Sequence, residues 1–393
     1  MNGVLIFFHC GSNTGYAITS CERSFFEMAS RLVDSRDDIH FAYTSLAGGP
    51  SEGLPATFAN VLEFDPASRD RGQHQRLATY VREHNIDFAF GFDQTPNQPC
   101  LPIMRRAGVR RLVSYWGAPM SSINRGLKLF LKRRQVAFYR SAPDHYVFES
   151  QAMARTATHG RGIPEDKVSV VHLGVDAERF APTRRKPGHL QEVFGIPAER
   201  RVLFYSGHME ERKGVRVLVE AAKQLADHRG RRDFHWLILG NKAGEERPYL
   251  EALEGTLAAD HVTFGGYRDD IPTILPECYV GTIASTGWDS FTMSAVEMAS
   301  AGLPLLVSNL QGLVETIDEG RTGYTFPPGD ARALANLVER MLDEPQHRAE
   351  LGQRARTRVL HGFTKEAQVD SLVEISHRVW SSLPEDETSP ADY

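Results

Sequence analysis

Tyr279-Val280-Gly281-Thr282-Ile283-Ala284 leads through Ser285-Thr286 into Gly287-Trp288-Asp289-Ser290-Phe291-Thr292-Met293-Ser294-Ala295-Val296-Glu297. An apolar strand runs into a polar loop, and the loop opens a helix. The same strand–loop–helix rhythm recurs on both sides of this stretch. Upstream, Val202-Leu203-Phe204-Tyr205 is a strand, Val215 to Ala226 a helix, and Trp236-Leu237-Ile238-Leu239 a strand. His261-Val262-Thr263-Phe264 and Leu305-Leu306-Val307 continue the set. The first half repeats the pattern: strands at Val4 to Phe8, His40 to Tyr43, Phe88 to Phe90, Arg111 to Tyr115 and His145 to Phe148. Helices are expected at Ala17 to Val33, Gln73 to Glu83 and Leu127 to Phe138. Such alternation predicts doubly wound parallel sheets. The rhythm breaks at the Pro-containing, basic stretch Pro182 to Pro187, which reads as a linker.

Two consecutive Rossmann-like domains follow, spanning 1–180 and 181–362. A C-terminal helix over 363–380 is expected to return to the first domain, and a polar, acidic tail over 381–393 to be disordered. In open parallel sheets, ligands sit beyond the carboxyl ends of the strands. The residues just after each strand are therefore the ones that matter.

Composition narrows the function classes. The 393 residues are 41% hydrophobic and 24% charged, with a formal net charge of −5. That balance suits a globular enzyme and argues against a non-specific nucleic-acid binder. Cys10, Cys21, Cys100 and Cys278 are scattered, with no C-x-x-C pair, so neither a disulfide framework nor a zinc site is expected. No apolar run approaches the length of a membrane span, and the N-terminus lacks the pattern of a signal peptide. A cytoplasmic location is the expectation.

Two loops carry the chemistry. The start of the helix after Asp289 offers unpaired N–H groups and a positive dipole end, a place suited to a diphosphate. Asp289 lies in the loop, and Glu297 is expected about two turns into the helix. The plainer reading makes Asp289 or Ser290 a cap and Glu297 a surface acid. The second loop is Ser206-Gly207-His208-Met209-Glu210-Glu211-Arg212-Lys213-Gly214. Lys213 would stand at a helix start against the dipole preference, which makes sense for a cation facing a phosphate. The plainer reading pairs Arg212 and Lys213 with Glu210 or Glu211.

Together these segments resemble the family 4 glycosyltransferases, retaining enzymes of the GT-B fold. The run Glu297-Met298-Ala299-Ser300-Ala301-Gly302-Leu303-Pro304 matches that family's signature. Gly265-Gly266-Tyr267, Gly320-Arg321-Thr322-Gly323-Tyr324 and Gly174-Val175-Asp176 with Phe180 are also similar. The resemblance is strong over 200–330 and weak before 145. It implies two facing Rossmann-like domains with a cleft between them. It further implies a metal-independent hexosyltransferase moving a sugar from a nucleotide-sugar, with UDP the expected nucleotide, to a hydroxyl acceptor. No cofactor is implied, since the nucleotide-sugar is a substrate.

By that resemblance Lys213, Asp289 and His208 are the catalytic group. Lys213 would neutralise the departing diphosphate, and Asp289 would contact the transferred sugar. Glu297 would bind the ribose. Amides of Ser290, Phe291 and Thr292, with Gly207, Arg212, Gly266, Tyr267 and Gly15, would complete the donor site. Two departures stand out: Asp289 replaces a Glu, and His208 replaces an Arg that forks onto phosphate.

In the first half, Gly11-Ser12-Asn13-Thr14-Gly15-Tyr16 follows the first strand. Asn13 and Thr14 are placed on the acceptor side. Trp116 is placed there too, as either a sugar-stacking ring or a core tryptophan. Arg125, Lys128, Lys132, Arg133, Arg134 and Arg140 surround Leu127, Leu129, Phe130 and Leu131. A basic amphipathic helix can lie on an anionic membrane, but the commoner meaning is a solvated face, and that meaning is the expectation here. Asp269-Asp270 is expected to cap the helix near Ile271. The rival functions are a sugar-nucleotide 2-epimerase of the same fold and a non-catalytic sugar-nucleotide-binding protein.

Overall fold

A computed structural model describes residues 1–382. They form two compact units: Met1–His172 with the residues from Glu366 onward, and Leu173–Lys365. The tail expected to be disordered lies, past Ser382, outside the described residues.

The first unit contains β1 (Gly3–Phe7), α1 (Tyr16–Ser30), β2 (Ile39–Tyr43), β3 (Val61–Glu63), α2 (Arg71–Glu83), β4 (Ile86–Phe92), α3 (Leu101–Ala107), β5 (Arg111–Trp116), α4 (Gly126–Ala137), β6 (His145–Phe148), α5 (Gln151–Arg155) and β7 (Val168–Val170). The second unit contains α6 (His189–Phe194), β8 (Arg201–Ser206), α7 (Val215–Lys223), β9 (Phe234–Leu239), α8 (Arg247–Leu253), β10 (Val262–Phe264), α9 (Ile271–Ile274), β11 (Val280–Ile283), α10 (Met293–Ser300), β12 (Leu305–Ser308), β13 (Gly323–Phe326), α11 (Ala331–Asp343) and α12 (Pro345–Gly362). The last helix, α13 (Lys365–Ser381), belongs with the first unit. It lies against α1 through Ser24 Oγ donating to Gln368 Oε1 at 3.2 Å and the Arg31–Asp370 ion pair at 2.6 Å.

Both sheets are parallel. The first has the order β3-β2-β1-β4-β5-β6-β7 and the second β10-β9-β8-β11-β12-β13. Every residue of β1, β2, β4 and β9 is buried. That is why these strands read as apolar runs rather than alternating ones: helices cover both faces. Strand order reverses between β1 and β4, and again between β8 and β11. A crevice opens at the carboxyl ends of the strands at such a switch point.

Three strands escape the sequence pattern. β3, β7 and β13 have three or four residues, lie at sheet edges and are partly exposed, so neither run length nor alternation marks them.

The division between the units falls at His172/Leu173 rather than at 180/181. Val175 N donates to Phe363 O at 2.9 Å, and Lys365 N donates to Val175 O at 3.0 Å, tying this segment to the end of the second unit. Pro182–Arg184 is a short 3-10 turn.

Candidate functional site

Gly214 is the hinge on which the second unit's site is built. Its φ is +74°, and a Cβ there would overlap the carbonyl oxygen of Ala284. Only glycine permits both. The backbone before α7 is thus pressed onto the end of β11, across the switch point of the second sheet. Thr286 N donates to Arg212 O at 2.7 Å, joining the loop after β8 to the loop after β11.

Lys213 meets Asp289 at this junction. Lys213 Nζ stands 2.9 Å from Asp289 Oδ2, and the Asp289 residue is 5% exposed. Oδ2 also accepts from Ser285 Oγ at 2.7 Å. Oδ1 accepts from Ser290 N at 3.1 Å and Thr292 Oγ1 at 3.3 Å. A carboxylate offers about four acceptor positions, and all are in use. Asp289 is therefore neither a simple cap nor a free hydroxyl acceptor. The residue at the helix N-cap is Thr292, without a side-chain cap. Ser290, the other candidate cap, is buried, and its Oγ has no hydrogen-bond partner.

Two contributors escaped the motif reading. Ser285 follows β11 by two residues. Gln311, at a left-handed φ of +42°, accepts from Asp289 N at 3.2 Å through its Oε1, while Gly312 N donates to Asp289 O at 3.3 Å. Gln311 follows β12 by three residues, so the strand-end rule applied to every strand would have reached it.

Glu297 is the fifth residue of α10, one turn in rather than two, and is buried. Gly281 of β11 makes its position firm: a Cβ there would stand 2.5 Å from Met298 Sδ, so the helix lies tight on the strand.

Arg212 does not stand in for the missing forked arginine. Its Nε pairs with Glu210 at 2.7 Å, its Nη1 donates to Trp288 O at 3.0 Å, and its guanidinium lies 4.2 Å from the Trp288 ring centroid. It clamps the two loops together; its pairing with Glu210 is what the plainer reading held, whereas Lys213 pairs with Asp289 and not with Glu210 or Glu211. His208 is exposed, and its carbonyl accepts from Tyr205 OH at 3.2 Å. Phe291 is buried, with its ring 5.1 Å from that of Phe363. Gly207 N donates to Leu239 O, and Gly266 N to Asn241 Oδ1 at 2.9 Å; Tyr267 beside it is 70% exposed. Asp270 occupies the N-cap of α9 without capping it. Its carboxylate instead meets Arg268 at 2.6 Å and His189 at 3.0 Å.

At the switch point of the first sheet, Asn13 holds a left-handed φ of +56°. Its side chain is spent on the loop ahead, donating to Gly48 O and Pro50 O and accepting from Glu52 N. Thr14 Oγ1 donates to Gly11 O. Gly15 is exposed, with open space where a Cβ would stand. Trp116 is corrected: it is a core residue, 5% exposed, its indole N–H donating to Ser114 Oγ at 2.8 Å and its ring stacked on Phe148. Asp93, which no motif marks, follows β4 at φ +54° and accepts from Gly117 N at 3.0 Å. Burial raises its pKa to about 6, against the pull of His9.

Comparison with known proteins fits this geometry. The "Glycosyl transferases group 1" model matches residues 189–358, and the "Glycosyltransferase Family 4" model matches 21–179. The first of these takes in the switch point of the second sheet, between β8 and β11; the second starts past β1 and takes in the first sheet from β2 to β7. The chain belongs to the family 4 glycosyltransferases, of the GT-B fold.

Among relatives of this glycosyltransferase, the alpha-D-kanosaminyltransferase of Streptomyces kanamyceticus is 28% identical over 221 residues, covering 55% of this chain and 56% of that protein. A D-inositol 3-phosphate glycosyltransferase of Pseudarthrobacter chlorophenolicus is 26% identical over 348 residues, covering 81% and 76%. For the first of these relatives, the match spans 56% of their length, about half. A Rickettsia africae glycosyltransferase structure superposes with a TM-score of 0.80 at 17% identity, covering 98% of this chain and 100% of that one. Anabaena HepE in complex with UDP-glucose gives 0.70 at 18%, covering 97% and 100%. No helix among the described residues is long and apolar enough to cross a membrane.

Proposed function

We propose that this glycosyltransferase is a retaining hexosyltransferase that takes its sugar from a UDP-sugar and delivers it to a hydroxyl acceptor. The observation that carries the reading is the Lys213–Asp289 pair, 2.9 Å long, held at the switch point of the second sheet beside the start of α10. Anabaena HepE, of the same fold, is described in complex with UDP and with UDP-glucose, which supports UDP as the nucleotide.

In this reading the diphosphate lies against Lys213 and the amides that open α10. Negative charge grows on the phosphate as the glycosidic bond breaks. A cation fixed in place stabilises that charge without reorganising. Asp289 and its braces, Ser285 and Gln311, fix the cation. Asp289 reaches a sugar hydroxyl only by exchanging one of its four donors, so positioning Lys213 is its first role. Glu297 takes the ribose, and Gly266 with Tyr267 the base. The departing phosphate accepts the acceptor's proton, so the chain supplies no base. Lys213 supplies the positive charge that a divalent ion would otherwise bring to the diphosphate, and transfer is expected to continue in excess chelator.

A thermal-shift screen over UDP-, GDP- and ADP-sugars, followed by product analysis of the best donor, tests this reading. UDP-sugars should raise the unfolding temperature and yield a glycoside. If no nucleotide-sugar stabilises the protein, or if the sugar is altered with no acceptor present, the proposal falls.

A further inference from the structure

Helix α4 departs from the rule the other helices of its length obey: none of its residues is buried. Leu127 is 73% exposed and Phe138, at its C-terminal cap, 77%, while Ile123, Phe130 and Leu131 are each more than half exposed. These five positions recur at intervals of three, four and seven residues, which puts them in one stripe. Monomeric proteins seldom leave such a stripe in water without a purpose.

The helix is nonetheless firmly attached. A Cβ at Gly162 would stand 2.7 Å from Arg133 N, so the backbone of α4 itself abuts the chain there. Buried Asn124, just before the helix, donates from its N to His159 O at 2.7 Å and from Nδ2 to Gly160 O at 2.6 Å. Val136 touches the apolar cluster around Tyr146, Phe148 and Met153. Leu129, Lys132, Val136 and Tyr139 make up the half-buried inner face. Docking by backbone and inner edge turns the apolar stripe outward.

Charge identifies what covers it. The chain is net acidic, yet the fifty residues from Gln94 to Pro143 contain ten Lys or Arg and no Asp or Glu. Arg125, Lys128, Lys132, Arg133, Arg134 and Arg140 surround the stripe, and none of them forms an ion pair among the described residues. A second copy of the chain would set these cations against one another. Beside the helix is a cavity of 290 Å³ lined by Arg133, Tyr139, Arg140, Tyr146 and Lys167 among others. The Tyr146 hydroxyl is buried and has no hydrogen-bond partner.

We propose that α4 docks the enzyme on an anionic phospholipid bilayer, with Leu127, Phe130, Leu131 and Phe138 among the acyl chains and Arg133, Arg140 and Lys167 around a lipid phosphate. An apolar face flanked by cations is the pattern of an interfacial helix. Arg134, within the stripe, reaches the headgroups by extending its aliphatic stem along the apolar surface. The proposal takes the membrane alternative over the expectation of a solvated helix face. The inference rests on the first unit alone and stands apart from the donor reading.

Co-sedimentation of the full chain tests it, with vesicles of phosphatidylcholine alone and of phosphatidylcholine mixed with phosphatidylglycerol. Wild type should sediment with the mixed vesicles, not with neutral ones, and less as salt rises. Phe130→Ser with Leu131→Ser should abolish sedimentation. Arg133→Gln with Arg134→Gln should lower partitioning by about ten-fold or more. Both double variants alter exposed side chains, so matching unfolding temperatures show that the fold is intact. Failure to sediment with anionic vesicles, or unchanged sedimentation of the Phe130/Leu131 variant, overturns the proposal. So does release by inorganic phosphate alone, which would mark a free-phosphate site. A dimer dissolved by the Phe130/Leu131 substitutions would mark a self-association face and overturn it as well.

Discussion

Four donors fill the four acceptor positions of the Asp289 carboxylate, and the one that carries a charge is Lys213. Removing one member of a buried ion pair leaves its partner's charge uncompensated. Lys213→Met should therefore destabilise the protein by about 3 kcal/mol in wild type, and by less than about 1 kcal/mol where Asp289→Asn is already present. Denaturant unfolding of the four proteins checks this. Equal costs in both backgrounds would mean that the pair is not coupled. On activity, Lys213→Ala should lower kcat by about a hundred-fold, because it removes charge stabilisation that the transition state alone requires in full. The strand-to-helix loops that carry Lys213 and Asp289 were legible in the sequence, but residue types alone left each as a cap or a loop charge, and only the family resemblance set them with Glu297 in one expected site. Ser285 and Gln311 were not: a serine and a glutamine in loops look the same whether they brace a carboxylate or face water. Trp116 was ambiguous for a related reason, since burial of its ring depends on Phe148, which lies on another strand and which the sequence does not place beside it.

Gly214 joins two elements that are far apart in the chain. The +74° backbone and the Ala284 carbonyl leave no room for a side chain. Gly214→Ala should cost about 2–3 kcal/mol of stability and weaken nucleotide binding, because the loop after β8 must lift from β11 and carry Lys213 with it. Thermal unfolding with and without UDP measures both effects. A variant with wild-type stability would show that the junction is looser than described. At this scale the strand–helix alternation and the central strands were plain from sequence, since strands buried on both faces leave uninterrupted apolar runs. The edge strands β3, β7 and β13 were hidden by their length. Helix α4 was found, but which way its stripe faced was not: that depends on the approach of its backbone to Gly162, a contact without a side-chain signal.

Across the molecule, histidines buried in both units make stability sensitive to acid. Burial, with His84 adding to it, lowers His40 to about 4. Burial, then Arg378, lowers His145 to about 4, and burial, then Arg200, lowers His235 to about 3. These rings are neutral when folded but take up a proton below about 6.5 when unfolded, so the unfolded state gains protons first and stability falls as pH drops from 6.5 towards 4. Asp93, raised to about 6 by burial, acts in the opposite direction in the first unit. The cleaner test is His235 in the second, where Nδ1 lies 3.3 Å from Arg200 Nη1 and Nε2 lies 2.8 Å from Thr263 Oγ1. His235→Gln should unfold at a lower temperature at pH 7.5 yet lose less on acidification to pH 4 than wild type does. An unchanged acid slope would remove His235 from the account. The claim on which the rest depends is that the second unit's Lys213 and Glu297 hold a nucleoside diphosphate. Titration calorimetry of UDP into wild type, Lys213→Ala and Glu297→Ala measures that directly. The account predicts binding to wild type, weakened about ten-fold or more in each variant; undiminished affinity in both variants would contradict it.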